Sequence, residues 1–268
     1  MNFIELGYLD LALAASLILL NAVLSLVLGL KLEKRLLIAA FRTVVQLTLM
    51  GLVLKTLFAL TSLFWTLVAA VVMILFAGYE ASARLKQTFA GFWAYGLGTG
   101  SMLAAGLIVT AFALTTQIKP DPWYDPRYAL PLLGMILGNT MTGISLGLNS
   151  LLGNAVRERI AIEARLALGH DIRAALGGIV REAMRTGLIP IINAMAAAGV
   201  VSLPGMMTGQ ILAGVPPVEA VKYQILIMFL IAGGTALGLL CAVYGSAWRL
   251  TDSRQRLRLD RLSTVKDE

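Results

Sequence analysis

The stretch that decides the fold is "ILIMFLIAGGTALGLLCAVYGSAW", residues 225–248, which contains no charged side chain. About 20 consecutive apolar residues are enough for an α-helix to cross the hydrocarbon core of a bilayer. The run is unbroken and rich in Leu and Ala, whereas a strand of a membrane barrel alternates apolar and polar residues. It therefore predicts a membrane-spanning helix.

Runs of the same kind recur along the chain and predict an all-α, polytopic membrane protein. Of its 268 residues, 58% are hydrophobic and only 14% are charged, whereas about a quarter of the residues of a soluble domain are charged. We expect one transmembrane domain over residues 1–268, and the acidic flanks of the first run favour a retained span over a signal peptide. Seven spans are predicted, near residues 8–30, 36–59, 62–80, 91–116, 129–152, 187–212 and 219–248.

The basic residues predict the orientation of these spans. If the N-terminus lies outside, the cytoplasmic segments are 31–35, 81–90, 153–186 and 249–268, and they hold 17 of the 22 Lys and Arg residues. Cytoplasmic loops of membrane proteins carry such an excess of Lys and Arg. We therefore expect an N-out, C-in topology with a cytoplasmic insert (153–186) and a basic C-terminal tail (249–268). Membrane topology explains the basic composition, so no nucleic-acid partner is expected.

Of two motifs that would indicate an enzyme, one is absent from the sequence and the other lacks a nearby histidine. No Gly-x-x-x-x-Gly-Lys-Ser/Thr sequence occurs, so we expect no nucleotide site in this chain. The "GISLG" sequence (143–147) matches a nucleophile pattern around Ser145, but the single histidine, His170, lies in the cytoplasmic insert. An intramembrane hydrolase is therefore a distant alternative. Small-residue spacing instead predicts close helix packing at Gly134, Gly138, Gly143 and Gly147.

The cytoplasmic insert contains "IEARLALGHDIRAALGGIVREAMRTGLIP", residues 162–190. A short helix is predicted to end at Gly169, because glycine readily adopts the left-handed conformation of a helix C-terminus. A second helix is predicted to begin at Asp171, whose carboxylate can cap it. The pattern indicates a helix–turn–helix elbow, which could equally be a solvated connector or a contact surface for a partner.

The elbow resembles the "EAA" loop of ABC-transporter permeases, in which a short coupling helix docks in a groove of the ATPase subunit. The resemblance rests on Glu163-Ala164-Arg165 followed by Gly169, although the family has Ala where Arg165 stands and the following Leu-Pro arrives late, at 188–190. It implies that six residues contact or position the ATPase: Glu163, Ala164, Arg165, Gly169, His170 and Asp171.

Three further stretches resemble the FetB family of permeases, which includes bacterial iron-export permeases and plant relatives involved in aluminium tolerance. They are "FRTVVQL" (41–47), "GMILGNTMTGISLGLN" (134–149) and the series from Gly187 to Ile225. The resemblance implies a non-catalytic iron exporter of the bacterial cytoplasmic (inner) membrane. It would form a homodimer with two ATPase subunits, and ATP and magnesium would bind those subunits rather than this chain. Permeases for another metal or a nucleotide-sugar remain alternatives, as does a sensor without flux.

Polar residues inside the predicted spans are candidates for a substrate pathway, because such residues are costly in a membrane. Arg42 and Gln46 share one face of the second span, but Arg42 could equally extend to the nearby interface. Asn139 and Asn193 lie deeper, where hydrogen bonds between helices are the commoner use. The spans contain no histidine and no acidic cluster, so the metal ligands remain unknown.

The segment "SLPGMMTGQILAGVPP", residues 202–217, interrupts an otherwise apolar region. Pro204 is expected to end or kink the sixth span, and Pro216-Pro217 to begin the next helix. Non-helical backbone at membrane depth is tolerated only where protein covers it or where it lines a cavity. We therefore predict an outer gate in which Met206, Met207 and Gln210 face the pathway.

Overall fold

A computed structural model describes residues 7–264. Within this range the chain forms nine α-helices and one two-stranded sheet, and six of the helices are long and apolar enough to cross a membrane. The helices are α1 (Tyr8–Val27), α2 (Glu33–Leu60), α3 (Leu63–Ala83), α4 (Trp93–Phe112), α5 (Pro126–Arg157), α6 (Arg159–Ala167), α7 (Ile172–Ala197), α8 (Gly205–Leu212) and α9 (Pro217–Arg249). The strands are β1 (Gln87–Phe89) and β2 (Leu262–Thr264), and a π-helix (Ala113–Ile118) continues α4. The predicted all-α class is confirmed.

The predicted sixth span, 187–212, is wrong in its bounds. The second helix of the elbow and the start of this span form one continuous helix, α7, in which Gly177, Gly178 and Pro190 cause no break. The helix ends at Ala197, before Pro204, and Gly199 has a φ of 84° in the turn that follows. Pro204 instead caps the start of α8. The number and direction of membrane crossings stay predictions.

The chain divides into two compact units after Thr61. In the first unit, α1 and α2 form a hairpin that Ser25 closes. The Ser25 hydroxyl accepts a hydrogen bond from the Leu32 amide at 2.9 Å and donates one to a carboxylate oxygen of Glu33 at 3.1 Å. Most of the leucine side chains on both helices are exposed, as expected for helices that face lipid.

The second unit is organised around α5, which packs along α3, α4, α7 and α9. Its contact with α7 is especially close at two glycines. A Cβ atom built on Gly143 would lie 2.9 Å from the Gly187 carbonyl oxygen, and one on Gly187 would lie 2.7 Å from the Gly143 carbonyl oxygen. The predicted small-residue packing is therefore confirmed at Gly143. A Cβ on Gly138 would meet nothing within 4 Å, so the prediction fails there.

The two ends of the second unit differ in structure. At one end, β1 pairs antiparallel with β2, which brings the α3–α4 connection and the C-terminal tail together. The Asn149 side chain fastens the same connection to α5, since it accepts a hydrogen bond from the Lys86 amide at 2.9 Å and donates one to the Arg84 carbonyl at 3.2 Å. The elbow α6–α7 lies at this end as well, because α5 leads into it. The other end carries the connections 119–125 and 198–216.

The Gly143–Gly187 contact predicts a specific sensitivity to added side-chain volume. We expect Gly143→Val to lower the free energy of unfolding by about 1 to 3 kcal/mol, because no room exists for a side chain between the two backbones. Thermal unfolding of the purified protein in detergent measures the effect.

Gly138→Val is the matched control, since it places the same residue on the same helix in open space. A Gly143→Val protein as stable as the Gly138→Val protein would contradict the close contact.

Candidate functional site

The elbow begins with α6, a nine-residue helix that follows α5 almost directly. Its Ile162 is 1% exposed and anchors it to the second unit. The carboxylate of Glu163 forms an ion pair with Arg159, four residues earlier on α6, at 2.8 Å. Both side chains are about half exposed, so the pair stabilises the helix only weakly and remains accessible to a partner.

The turn between α6 and α7 has the predicted local structure. Gly169 has a φ of 90°, in the left-handed region that favours glycine. The Asp171 carboxylate accepts a hydrogen bond from the Ala174 amide at 2.6 Å and so caps α7. His170 is exposed between them. The predicted helix–turn–helix is therefore confirmed as a structure, whereas its role stays a prediction.

Two side chains brace the elbow from within the second unit. The Arg165 guanidinium donates a hydrogen bond to the Ala175 carbonyl on α7 at 3.2 Å. Gln255, from the C-terminal tail, accepts one from the Ile172 amide at 2.7 Å. Arg165 thus has an internal contact, and its predicted role at an ATPase subunit stays a prediction. Gln255 was missed, because its partner lies 83 residues away along the chain and no local pattern marks it.

The tail that carries Gln255 is held in shape by Asp252. Its carboxylate accepts hydrogen bonds from the amides of Arg254 and Arg256, both at 3.0 Å, and from the Arg256 guanidinium at 2.8 Å. These bonds favour the charged carboxylate, and they lower the pKa of Asp252 to about 2. Of the predicted basic tail (249–268), residues 250–264 thus form an ordered turn followed by β2, and residues 265–268 lie outside the described part of the chain.

The elbow also exposes apolar surface that the sequence analysis did not single out. Ile160 on α6 is 83% exposed, and Leu168 at the end of α6 is 80% exposed. Ile160 lies just after the end of α5 and Leu168 just before the start of α7, and both lie beside charged residues and not on a long apolar helix. Exposed aliphatic side chains in a polar setting indicate an interaction surface.

A cavity of about 270 Å³ lies at the opposite end of the second unit. We call it the outer chamber. Met206 and Gln210 from α8 line it together with Met135 and Tyr128 from α5 and Tyr223 from α9. The side-chain oxygen of Gln210 is buried without a hydrogen-bond partner among residues 7–264. The chamber is therefore apolar with a few polar groups, as small-molecule sites commonly are.

Met207 does not belong to the chamber lining. It is 7% exposed and is the buried residue of α8, so it anchors this short helix while Met206 and Gln210 face the chamber. Arg127 also lines the chamber. Met206 and Gln210 are thus brought together, and Met207 is not.

Two of the predicted intramembrane polar residues, Asn139 and Asn193, do not line the outer chamber. Asn139 and Asn193 are both exposed, and the Asn139 amide donates to the Met135 carbonyl of its own helix at 2.9 Å. The expected bond between helices is therefore not formed by Asn139. Arg42 and Gln46 lie on α2, exposed, in the first unit. Glu80 on α3 forms an ion pair with Arg84 at 4.0 Å.

Ser145, the residue of the nucleophile pattern, is buried on α5. Its hydroxyl donates to the Met141 carbonyl at 2.8 Å, so the proton is held by a backbone acceptor and not by a basic side chain. Over residues 7–264, no group of three or more His, Cys, Asp or Glu residues is placed to hold a metal ion.

The comparisons with known proteins agree with this architecture. The family model described as "Uncharacterised protein family (UPF0014)" matches residues 8–250. The chain belongs to the UPF0014 family. UPF0014 relatives carry membrane-protein or permease names, and with the long apolar helices this shows an integral membrane protein.

Three relatives illustrate the range of the UPF0014 family. The chain is 40% identical to a UPF0014 membrane protein of Synechocystis sp. over 76% of this chain and 78% of the relative. It is 31% identical to the probable iron export permease protein FetB of Escherichia coli, over 94% and 95%. It is 31% identical to Protein ALUMINUM SENSITIVE 3 of Arabidopsis thaliana, over 89% and 85%. No solved structure matches the chain.

The low pKa of Asp252 predicts how the tail responds to acid. A carboxylate with a lowered pKa stabilises the fold above the pKa of the unfolded chain, about 3.9, and this contribution disappears as the carboxylate is protonated. We therefore expect the tail to stay protected from proteolysis down to about pH 4 and to open between about pH 4 and pH 2.

Asp252→Asn imitates the protonated state at neutral pH. We expect trypsin to cleave the tail of this variant at Arg254 or Arg256 about tenfold faster than in the wild type. Glu219→Gln, which removes an exposed carboxylate paired with Lys222 at the other end of the unit, is the control. Equal cleavage of Asp252→Asn and wild type would show that Asp252 does not hold the tail.

Proposed function

We propose that this chain is the non-catalytic permease subunit of an ABC exporter that moves iron out of the cytoplasm across a bacterial inner membrane. The proposal is supported by its similarity to the probable iron export permease protein FetB over 94% of the chain. ATP and magnesium would bind a separate ATPase subunit, since the sequence carries no phosphate-binding Gly-x-x-x-x-Gly-Lys-Ser/Thr loop.

The observation that carries this proposal is the exposed apolar surface of the elbow. Ile160 and Leu168 extend from a short helix at the end of the unit that bears the basic tail and the elbow. A groove on an ATPase subunit could bury both side chains. Glu163 and His170 are exposed beside them and would supply polar contacts at the rim, as interfaces commonly have.

The structure of α7 suggests how movement of the elbow would reach the far side of the membrane. The helix begins at the elbow and continues for 26 residues, which corresponds to about 39 Å. It is braced at its start by Arg165 and packed against α5 at Gly187. Because a packed helix moves as one body, closure of two ATPase subunits would tilt α7 and change the outer chamber beyond its end.

Two exposed asparagines support assembly of two copies around a pathway. The Gly143–Gly187 contact between the antiparallel helices α5 and α7 places Asn139 and Asn193 at nearly the same depth. Asn139 lies about 20 Å from the start of α5. An exposed amide at this depth is costly against lipid. We infer that this surface faces a polar pathway formed with a second copy of the chain.

A second candidate substrate class follows from Arg127. This arginine lines the outer chamber and would repel a bare metal cation there, whereas it would attract an anionic solute. Iron in an anionic chelate, or a nucleotide-sugar, fits this charge. No acidic residue lines the chamber among the residues that the structure describes.

The elbow makes a prediction about ATPase binding. We expect Ile160→Ser together with Leu168→Ser to reduce co-purification of the ATPase subunit about tenfold, because the buried apolar area is lost. The matched control is Val200→Ser with Val201→Ser, which removes aliphatic side chains of similar exposure, 90% and 83%, at the opposite end. Unchanged co-purification of the elbow variant would argue against docking there.

The outer chamber makes a prediction about transport itself. Everted vesicles that contain the permease and its ATPase should accumulate iron in an ATP-dependent manner. We expect Met206→Ala with Gln210→Ala to reduce this flux about tenfold, because both side chains line the chamber. Met228→Ala, on α9 outside the lining, should leave it unchanged.

A panel of bare iron, chelated iron, other metals and nucleotide-sugars separates the candidate substrates. ATP-dependent uptake of a nucleotide-sugar without any uptake of iron would exclude iron export. Full iron flux in the Met206 and Gln210 variant would remove the chamber from the pathway.

A further inference from the structure

A second cavity, of about 640 Å³, lies between α7 and α9 at the end that carries the elbow. We call it the α7–α9 groove. Its volume lies within the range of roughly 300 to 1,000 Å³ that is common for small-molecule sites. The lining combines two arginines (Arg173, Arg181), an apolar floor (Leu176, Val180) and two aromatic residues (Tyr244, Trp248). None of the functions proposed above uses this groove.

The charge of the groove calls for an anionic occupant. Arg173 and Arg181 are exposed on α7, and within residues 7–264 neither guanidinium has an ion pair or hydrogen bond. No acidic residue is found among the described residues of the lining. The carboxylates that adjoin lining residues along the chain are engaged elsewhere: Asp252 pairs with Arg256, Asp171 caps α7, and Glu182 pairs with Arg185 at 4.0 Å. Neither arginine of the groove therefore has an ion pair of its own among the described residues.

The aromatic residues place the groove at the membrane surface. Trp248 is 69% exposed and Tyr244 is 57% exposed. Trp248 lies 6.3 Å from Trp93 between ring centroids, and the Arg249 guanidinium lies 4.5 Å above the Trp93 ring. Trp and Tyr of this kind form belts at the level of lipid headgroups.

We propose that the α7–α9 groove binds the headgroup of an anionic phospholipid. The two guanidinium groups hold the phosphate region, since arginine forms bidentate, charge-assisted hydrogen bonds with phosphate. The indole of Trp248 and the ring of Tyr244 cover the glycerol region, and Leu176 and Val180 contact the start of an acyl chain. Such a lipid would join α7 to α9 directly beside the elbow.

The test counts lipids that the purified full-length protein retains in detergent, by native mass spectrometry during titration with phosphatidylglycerol or phosphatidylcholine. We expect the wild type to prefer phosphatidylglycerol. Arg173→Gln with Arg181→Gln should weaken phosphatidylglycerol binding about 25-fold and leave phosphatidylcholine binding unchanged, because each basic residue near a membrane surface favours anionic lipid about fivefold.

Arg185→Gln is the matched control. This arginine lies on the same helix, outside the groove, and is 76% exposed. We expect its lipid binding to equal that of the wild type. Arg173→Lys with Arg181→Lys keeps the charge and should retain most of the preference, which also covers the case in which the glutamine variant does not fold.

Equal retention of phosphatidylglycerol by the wild type and the glutamine variant would overturn the proposal, as would a wild-type preference that does not weaken in high salt. A change in the monomer–dimer ratio of the glutamine variant in pure phosphatidylcholine, without any loss of lipid, would show that a second copy of the chain covers the groove instead.

Discussion

The contact between α5 and α7 at Gly143 and Gly187 is the interaction on which the second unit depends. Helices in a membrane gain little from the hydrophobic effect between them, so they associate through close packing. α7 depends on this contact more than α5 does, because α7 carries three arginines and a proline inside the helix: Arg173, Arg181, Arg185 and Pro190. Among the helices of at least 18 residues within 7–264, α7 is also the one that lacks the apolar composition of a typical span.

The same packing explains how polar features can be confined to the two ends of the unit. Because α7 is held against α5 at Gly187, the elbow can extend beyond its start and the turn at Gly199 can follow its end. Non-helical backbone near a membrane must satisfy its own polar groups. Here the Val201 amide donates to the Ala197 carbonyl at 3.0 Å, and the Gly199 amide donates to the Ser202 carbonyl at 2.9 Å.

Local patterns in the sequence predicted the local structures well. The glycine turn at 169 and the cap at Asp171 depend on residues within four positions of each other, so sequence spacing alone is sufficient. The class of fold follows from the length of the apolar runs. The span ends were less predictable, because a helix such as α7 continues through glycines and a proline where neighbouring helices support it.

Contacts between distant residues could not be predicted in the same way. Gln255 reaches the start of α7 from the turn that Asp252 holds, and nothing in the sequence near Gln255 indicates this contact. Met206 and Met207 are adjacent and chemically identical, yet one lines the outer chamber and the other is buried. Only the rotation of α8 against α9 separates them.

The orientation of α8 follows from its two ends. Pro204 caps its start, and Gly214, with a φ of 95°, reverses the chain before Pro217 begins α9. A helix of eight residues is too short to be stable alone, so burial of Met207 decides which face turns inward. With Met207 fixed, Gln210 lies three residues further along α8, which is nearly one helical turn. Its side-chain oxygen is thereby buried, and among residues 7–264 no hydrogen-bond donor reaches it.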